Sequence, residues 1–127
     1  MTELSILASY GLLVIVTLLL QATGSMQQLG IGYLLSSRDD SHTITGMTAR
    51  LNRALDNSVV AMALFAPAIL LLVVTDSTTV QTLLLAKAFL IARAVYLPAY
   101  AFGIIGLRSL AWTVGFVSTA LLYFLAL

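Results

Sequence analysis

The sequence predicts an all-α integral membrane protein, a bundle of four transmembrane helices. Of its 127 residues, 61% are hydrophobic and only 9% are charged, whereas soluble domains average about 25% charged residues. The mean hydropathy is +1.06. The apolar residues fall into four long runs, each close to the roughly 20 residues that a helix needs to cross a bilayer. We therefore expect one membrane domain over residues 1–127, surrounded by lipid.

Polar connections separate the four predicted spans. The spans cover about residues 4–22, 50–74, 80–102 and 109–127. The connection at residues 21–48 is polar and much longer than the about 2–8 residues usual between helices, so we expect it to be functional or partly ordered. The second helix is expected to begin within residues 45–48, ahead of its apolar part.

Charge and cysteine content exclude several classes of function. The net charge is only +1 and there is no basic run, which argues against nucleic-acid binding. The chain has no cysteine, so any thiol chemistry needs a thiol from the substrate. His42 is the only histidine, and a lone histidine in a polar loop predicts no metal site. The acidic start, Met-Thr-Glu, argues against a cleaved signal peptide.

The positive charges indicate an orientation in the membrane. Glu3 and Asp76 fall at the side that carries both termini. Four arginines fall at the first and third connections, on the opposite side: Arg38, Arg50, Arg53 and Arg108. By the positive-inside rule, the first and third connections are expected to be cytoplasmic and both termini to lie outside.

A stripe of polar side chains opens the second helix. Arg50, Arg53, Asn57 and Val60 are offset by i, i+3, i+7 and i+10, so at helical pitch they share one face. Strong donors entering a membrane helix are costly unless a negative or polar group meets them. The stripe therefore points to a binding site for an anionic small molecule.

The third and fourth spans bring further donors to the same depth. Arg93, Tyr96 and Tyr100 are spaced i, i+3 and i+7, nearer the cytoplasmic end. Arg108 and Ser109 open the fourth helix on that side, where Ser109 is expected to act as the N-cap. Guanidinium groups suit carboxylates and phosphates because their forked donors bind two oxygens at once. The matching ligand is an amphiphile, or a small anion that acts on a lipid-like partner.

Each candidate also has an ordinary structural interpretation. The arginines are common as anchors facing lipid headgroups, and tyrosines as interfacial residues. Arg53 has Asp56 three residues on for a weak helix pair, and Arg93 has a stem long enough to snorkel. Lys87 lies on another face, and we interpret it as snorkelling or pairing toward the outer side.

Several motifs, spread over nearly the whole chain, resemble the membrane-associated proteins in eicosanoid and glutathione metabolism, the MAPEG family. They are Gly-Tyr-Leu-Leu-Ser-Ser-Arg-Asp at 32–39, Arg-Leu-Asn-Arg-Ala-Leu-Asp-Asn at 50–57, Leu-Phe-Ala-Pro-Ala at 64–68, Ala-Arg-Ala-Val-Tyr-Leu-Pro-Ala-Tyr at 92–100 and Leu-Arg-Ser-Leu-Ala-Trp at 107–112. Their order and spacing resemble short bacterial members, which implies a bacterial inner membrane.

The resemblance implies a homotrimer that binds glutathione between neighbouring subunits at the cytoplasmic end. Arg108 and Ser109 resemble the pair near the glutathione sulfur, where a cation favours the thiolate. A thiolate attacks electrophilic or peroxidic lipids, so the resemblance implies a transferase or peroxidase. The residues that resemble the glutathione contacts on the second and third helices are Arg50, Arg53, Asn57, Arg93, Tyr96 and Tyr100.

One position departs from the family pattern. The family has a glutamate where this chain has Val60, and that carboxylate would meet the glutathione ammonium. An unpaired, desolvated ammonium costs several kcal/mol. Asp56 is near enough along the chain to be an alternative acid. Three interpretations therefore stay open: a glutathione-dependent enzyme, a non-catalytic accessory subunit of a larger membrane complex, and a protein that binds anionic lipid.

Overall fold

A computed structural model of the protein describes residues 1–35 and 44–127. The described residues form five helices: α1 (Glu3–Leu29), α2 (Ile31–Leu34), α3 (Gly46–Val74), α4 (Val80–Ala101) and α5 (Ile105–Ala126). All but the single-turn α2 are long and apolar enough to cross a membrane. The predicted four-helix membrane fold is therefore confirmed. Arg38 and His42 lie outside the described residues.

The helix α1 is longer than the hydropathy predicts. It continues to Leu29, so the first part of the expected polar connection is helical. Gln28 explains how this polar extension is held: its side-chain amide donates to the Thr45 carbonyl (3.1 Å) and its carbonyl accepts from the Thr45 amide (2.9 Å). Because Thr45 is the N-cap of α3, the two hydrogen bonds join the end of α1 to the start of α3.

Two helices begin with reciprocal capping. Thr2 and Ser5 form a capping box at the start of α1, and Thr79 and Thr82 form another at the start of α4. In each pair a side chain satisfies a backbone amide that has no partner inside the helix. The Thr82 hydroxyl donates to the Glu3 carboxylate at 3.0 Å, so both helices start at the same end of the bundle, which we call the terminal end.

The corner between α4 and α5 is shorter than predicted, and the expected cap at Ser109 is wrong. Gly103 has φ of +73°, a conformation that ends helices and that glycine adopts without strain. The Ile104 amide donates a hydrogen bond to the Ala99 carbonyl (2.8 Å). The helix α5 begins at Ile105, with Ile104 as its N-cap. Ser109 is therefore inside the helix, one turn beyond its start.

Aromatic rings form the core where α1, α3 and α4 meet. Phe65 and Phe89 are stacked with their centroids 3.9 Å apart, and Tyr10 meets Phe89 edge-on at 4.8 Å. All three side chains are fully or almost fully buried. Toward the other end, where α4 and α5 join, a smaller cluster of Ala54 and Tyr96 continues the packing. We call this second end the arginine end.

Candidate functional site

Arg93 is buried in the middle of the bundle, with only 3% of its surface exposed. Its two terminal nitrogens donate to the side-chain oxygens of Asn57 and Ser58, both at 2.9 Å. Its guanidinium also lies 4.1 Å from the centre of the Tyr96 ring, in cation–π geometry. The third nitrogen, Nε, is buried with no hydrogen-bond partner. The charge is therefore held by neutral groups, with one donor unused.

Two residues that support Arg93 were missed by the sequence interpretation. Ser58 accepts from Arg93, and the Ser58 carbonyl accepts from the Tyr10 hydroxyl at 2.7 Å. Tyr10 thereby connects α1 to the polar network of α3 and α4. Ser58 carried a usable signal, because it is a small polar residue beside Asn57 at the edge of an apolar run. The sequence carried no signal for Tyr10, because a tyrosine in an apolar helix is ordinarily a core residue.

A second group of cations surrounds Tyr100. The Arg53 Nε donates to the Tyr100 hydroxyl at 3.2 Å, and its guanidinium lies 6.0 Å from the ring centre. The Arg108 guanidinium lies 4.7 Å from the same ring centre. Tyr96 and Tyr100 are themselves neighbours, with centroids 5.5 Å apart. The two tyrosines thus link the buried Arg93 to the more exposed arginines.

An open cleft lies beside these tyrosines at the arginine end. It has a volume of about 410 Å³ and is lined by Tyr96, Tyr100, Arg108, Ser109, Trp112 and Thr113. We call it the polar cleft. Ser109 reaches this cleft from the first turns of α5 rather than as a helix cap. A guanidinium, two phenols and a hydroxyl together suit an anionic, hydrogen-bonding ligand.

A second cleft adjoins the first and is almost entirely apolar. It has a volume of about 370 Å³ between α3, α4 and α5, with Leu64 and Phe89 among its walls. Asn57 and Arg93 line it, and Trp112 lines both clefts. We call it the apolar cleft. A mostly apolar lining with a few polar groups is typical of a site for an apolar ligand.

Val60 lies in the wall of the apolar cleft, with 59% of its surface exposed. Asp56, the nearest acid along the chain, is exposed and lines neither cleft. No acidic side chain of the described residues lines either cleft. The combined site therefore presents cations and neutral groups only, which favours a ligand with net negative charge.

Arg50 is placed apart from the two clefts. Its Nε donates to the Ala101 carbonyl at 2.8 Å, at the last residue of α4. A cation at a helix C-terminus satisfies an unpaired carbonyl and complements the helix dipole. Arg50 therefore fastens α3 to the end of α4, and its Nε is already engaged.

The structure does not show the pairing of Arg53 with Asp56 that the sequence offered as an ordinary structural interpretation. Arg53 donates to Tyr100 across the helix interface, and no ion pair joins it to Asp56 in the described part of the chain. Trp112 and Tyr123 both line the apolar cleft. Trp112 stacks on Phe116 at 5.3 Å, and the Tyr123 hydroxyl donates to the Leu64 carbonyl at 2.6 Å.

Comparison with known proteins identifies the family. Searches of curated proteins and of solved structures found no significant match. The model of the MAPEG family, in contrast, matches residues 4–127. That range contains both clefts and all of the four long helices except Glu3, the first residue of α1. The chain therefore belongs to the MAPEG family.

Proposed function

We propose that the protein is a glutathione-dependent transferase or peroxidase that acts on hydrophobic electrophiles in the membrane. The observation that carries this proposal is the contact between the two clefts at Trp112. One cleft offers cations to an anionic thiol, and the other offers an apolar wall to a lipophilic partner. A reaction between two such substrates requires this adjacency.

The donors of the polar cleft fit the carboxylates of glutathione. Arg108 lines the polar cleft, and Arg53 approaches the ring of Tyr100, which also lines it. Bound glutathione would supply a thiolate nucleophile. Arg108 would lower the pKa of that thiol, because a nearby cation favours the charged form. Tyr100 would hold Arg108 in place, and Ser109 would donate to the sulfur.

The remaining predicted site residues would support binding without contacting the thiol. Arg93 and Asn57 give the apolar cleft its polar groups, and the buried Nε of Arg93 has no hydrogen-bond partner. Tyr96 separates Arg93 from the polar cleft and contacts both. Val60 offers no carboxylate to the glutathione ammonium, so we expect affinity in the millimolar range rather than the micromolar range.

Titration of the purified, lipid-reconstituted protein with glutathione tests the proposal. Calorimetry should report saturable binding, and the ultraviolet absorbance of the thiolate should appear near neutral pH. Arg108→Ala should abolish the thiolate band, whereas Lys87→Gln, which removes a cation far from the clefts, should not change it. Absence of binding at millimolar glutathione would remove the proposal.

A second candidate function is a non-catalytic accessory subunit or lipid-binding protein of the same family. Val60 and the absence of any acid from the described cleft linings favour it. In this case glutathione does not bind, and anionic amphiphiles co-purify through Arg53 and Arg93. Isolation from native membranes distinguishes the two, because an accessory subunit brings a stoichiometric partner protein.

We also propose that the working form is a homotrimer in a bacterial inner membrane, with the arginine end cytoplasmic. The family resemblance supports the trimer, and the arginines at one end support the orientation. Native mass spectrometry of the protein released from lipid nanodiscs should give three chains per particle. A monomer in that measurement would contradict the trimer.

A further inference from the structure

Lys87 is an exposed cation on α4, where the other exposed residues are apolar except for Gln81 in the first turn. It lies seven residues after Val80, the first residue of α4, which places its Cα about 10 Å below the start of that helix. With 22 residues, α4 is about as long as the hydrocarbon core is thick, near 30 Å. The four-carbon stem of lysine is shorter than that depth, so an ammonium that snorkels toward the start of α4 stops short of the level of Val80.

The neighbours of Lys87 offer it no counter-charge. At helical spacing it lies between Leu84 and Ile91, which are 58% and 65% exposed. Glu3, the acid nearest the terminal end, is buried and accepts from the Thr82 hydroxyl at 3.0 Å. Thr82 is five residues before Lys87 and faces the bundle interior, on the opposite side of α4. Lys87 is therefore without a carboxylate partner in the described part of the chain.

A surface groove lies between α4 and α5, and Ile91, one turn after Lys87, lines it. Toward the arginine end it has a volume of about 300 Å³ and an apolar lining that includes Ile91, Val95 and Leu110. Toward the terminal end, a separate hollow of about 370 Å³ between the same helices includes Leu84 and Leu121. Small residues of the groove, Ala88 and Ala92, permit close approach of another helix.

A second copy of the chain does not complete this surface. In a membrane oligomer with one orientation, a copy presents residues of equal depth. The described acids are Glu3 and Asp76 at the terminal end and Asp56 in the other half of the bundle. Lipid chains fill a groove but carry no counter-charge at this depth. The missing group is a carboxylate placed inside the bilayer.

We propose that the α4–α5 groove docks a transmembrane helix of a different protein, and that this helix carries an aspartate or glutamate at the depth of Lys87. The groove supplies the packing surface, and the Lys87–carboxylate pair fixes depth and register. An ion pair or hydrogen bond removes the cost of an isolated ammonium in hydrocarbon. This surface lies on the outside of α4 and α5, apart from both clefts.

A designed helix tests the docking surface directly. The probe is a labelled single-span leucine–alanine helix with one aspartate at the depth of Lys87, and association is measured by energy transfer to the full-length protein in lipid vesicles. The aspartate helix should associate about tenfold more tightly than the same helix with leucine there. Lys87→Met should remove that difference.

Relocating the charge separates a docking site from simple charge attraction. Ala8 is exposed on α1, two residues before Tyr10, and Lys87 is two residues before Phe89, the ring that Tyr10 contacts. Lys87→Met combined with Ala8→Lys therefore keeps an intramembrane lysine at about the same level but moves it away from the groove. The relocated variant should not bind the aspartate helix. Equal binding by the relocated variant, or no difference between the aspartate and leucine helices for the native chain, would overturn the proposal.

A crosslinking experiment in native membranes identifies the occupant. A photoreactive residue replaces Ile91 in the full-length chain. The expected adduct contains a different protein with an acid inside a membrane span, and it is lost in Lys87→Met. Adducts to lipid only, or to another copy of this chain only, would overturn the proposal.

Discussion

At the scale of single residues, Arg93 shows how a membrane bundle holds a buried cation without a carboxylate. Asn57 and Ser58 each accept one hydrogen bond, and the Tyr96 ring faces the guanidinium. A buried ion is costly, and replacing buried ionic residues by well-packed apolar residues is often neutral or stabilising. Retaining such a residue in the wall of the apolar cleft is consistent with a function in ligand binding.

Substitution of Arg93 should separate charge from hydrogen bonding. Arg93→Lys keeps the charge but loses the fork that reaches Asn57 and Ser58 together, so we expect a loss of about 1–3 kcal/mol in the free energy of unfolding. Arg93→Met removes the buried charge, and we expect a smaller loss. Denaturant unfolding in detergent micelles measures both. A Met variant less stable than the Lys variant would contradict this account.

Gly115 controls the space around Arg93. A Cβ built at Gly115 would lie 3.5 Å from the Arg93 Cδ, which is an ordinary contact. Gly115→Ala should therefore be tolerated, and should leave thermal stability and glutathione binding nearly unchanged. Gly115→Leu should fill part of the apolar cleft and displace Arg93, reducing the binding of a fluorescent apolar probe. If Gly115→Leu binds the probe as tightly as the native protein does, the probe does not occupy the apolar cleft.

At the scale of helices, contacts between elements set boundaries that hydropathy does not report. Hydropathy placed the end of the first span near residue 22, because it measures the apolar content of a window. The helix continues to Leu29 because Gln28 bonds to Thr45 and because α1 packs closely on α3. The start of α5 was missed for a related reason: Ser109 resembles a cap, whereas the turn is made by Gly103.

The helices α1 and α3 approach each other closely at Gly24. A Cβ there would lie 2.9 Å from the Thr48 Cγ2 and closer still to the Thr48 Oγ1. Thr48 is buried, so it has little room to move. Gly24→Ala should lower the stability by about 1–3 kcal/mol, because the helices must separate. Thermal melting in detergent measures the loss, and Thr48→Ala should restore part of it. If the stability losses of the two single variants simply add in the double variant, Gly24 and Thr48 are not in contact.

Gly103 and Gly106 provide a matched pair at the α4–α5 corner. Gly103 has positive φ, so Gly103→Ala should cost about 1 kcal/mol of stability. Gly106 is helical and has open space around its position, so Gly106→Ala should be neutral or stabilising. Chemical unfolding compares the two. Because the corner positions Arg108, only the Gly103 variant should also weaken the thiolate band of bound glutathione.

At the scale of the whole molecule, the four-helix architecture was predictable from the sequence, whereas the side-chain contacts within the site were not. Four apolar runs and helical spacing sufficed to place Arg53, Asn57, Arg93 and Tyr100 on facing helices. They could not reveal that Arg93 is satisfied by Ser58 or that Trp112 joins two clefts. Such pairings depend on helix rotation and depth, which packing decides.

Charge asymmetry gives the whole molecule a testable orientation. The described arginines at helix ends all lie at the arginine end, and Glu3 and Asp76 lie at the terminal end. The chain has no native cysteine, so an introduced thiol is a unique label. Thr78→Cys probes the exposed turn between α3 and α4, and Phe102→Cys probes the α4–α5 corner, where Phe102 is 68% exposed.

A membrane-impermeant maleimide should label these two variants differently in intact cells. Positive residues are retained on the cytoplasmic side during insertion, so Thr78→Cys should react without permeabilisation. Phe102→Cys should react only after the membrane is opened, and the native chain should stay unlabelled throughout. The reverse pattern would place the arginine end outside. The polar cleft would then open away from the cytoplasm, and a cytoplasmic thiol would not reach Arg108 from that side.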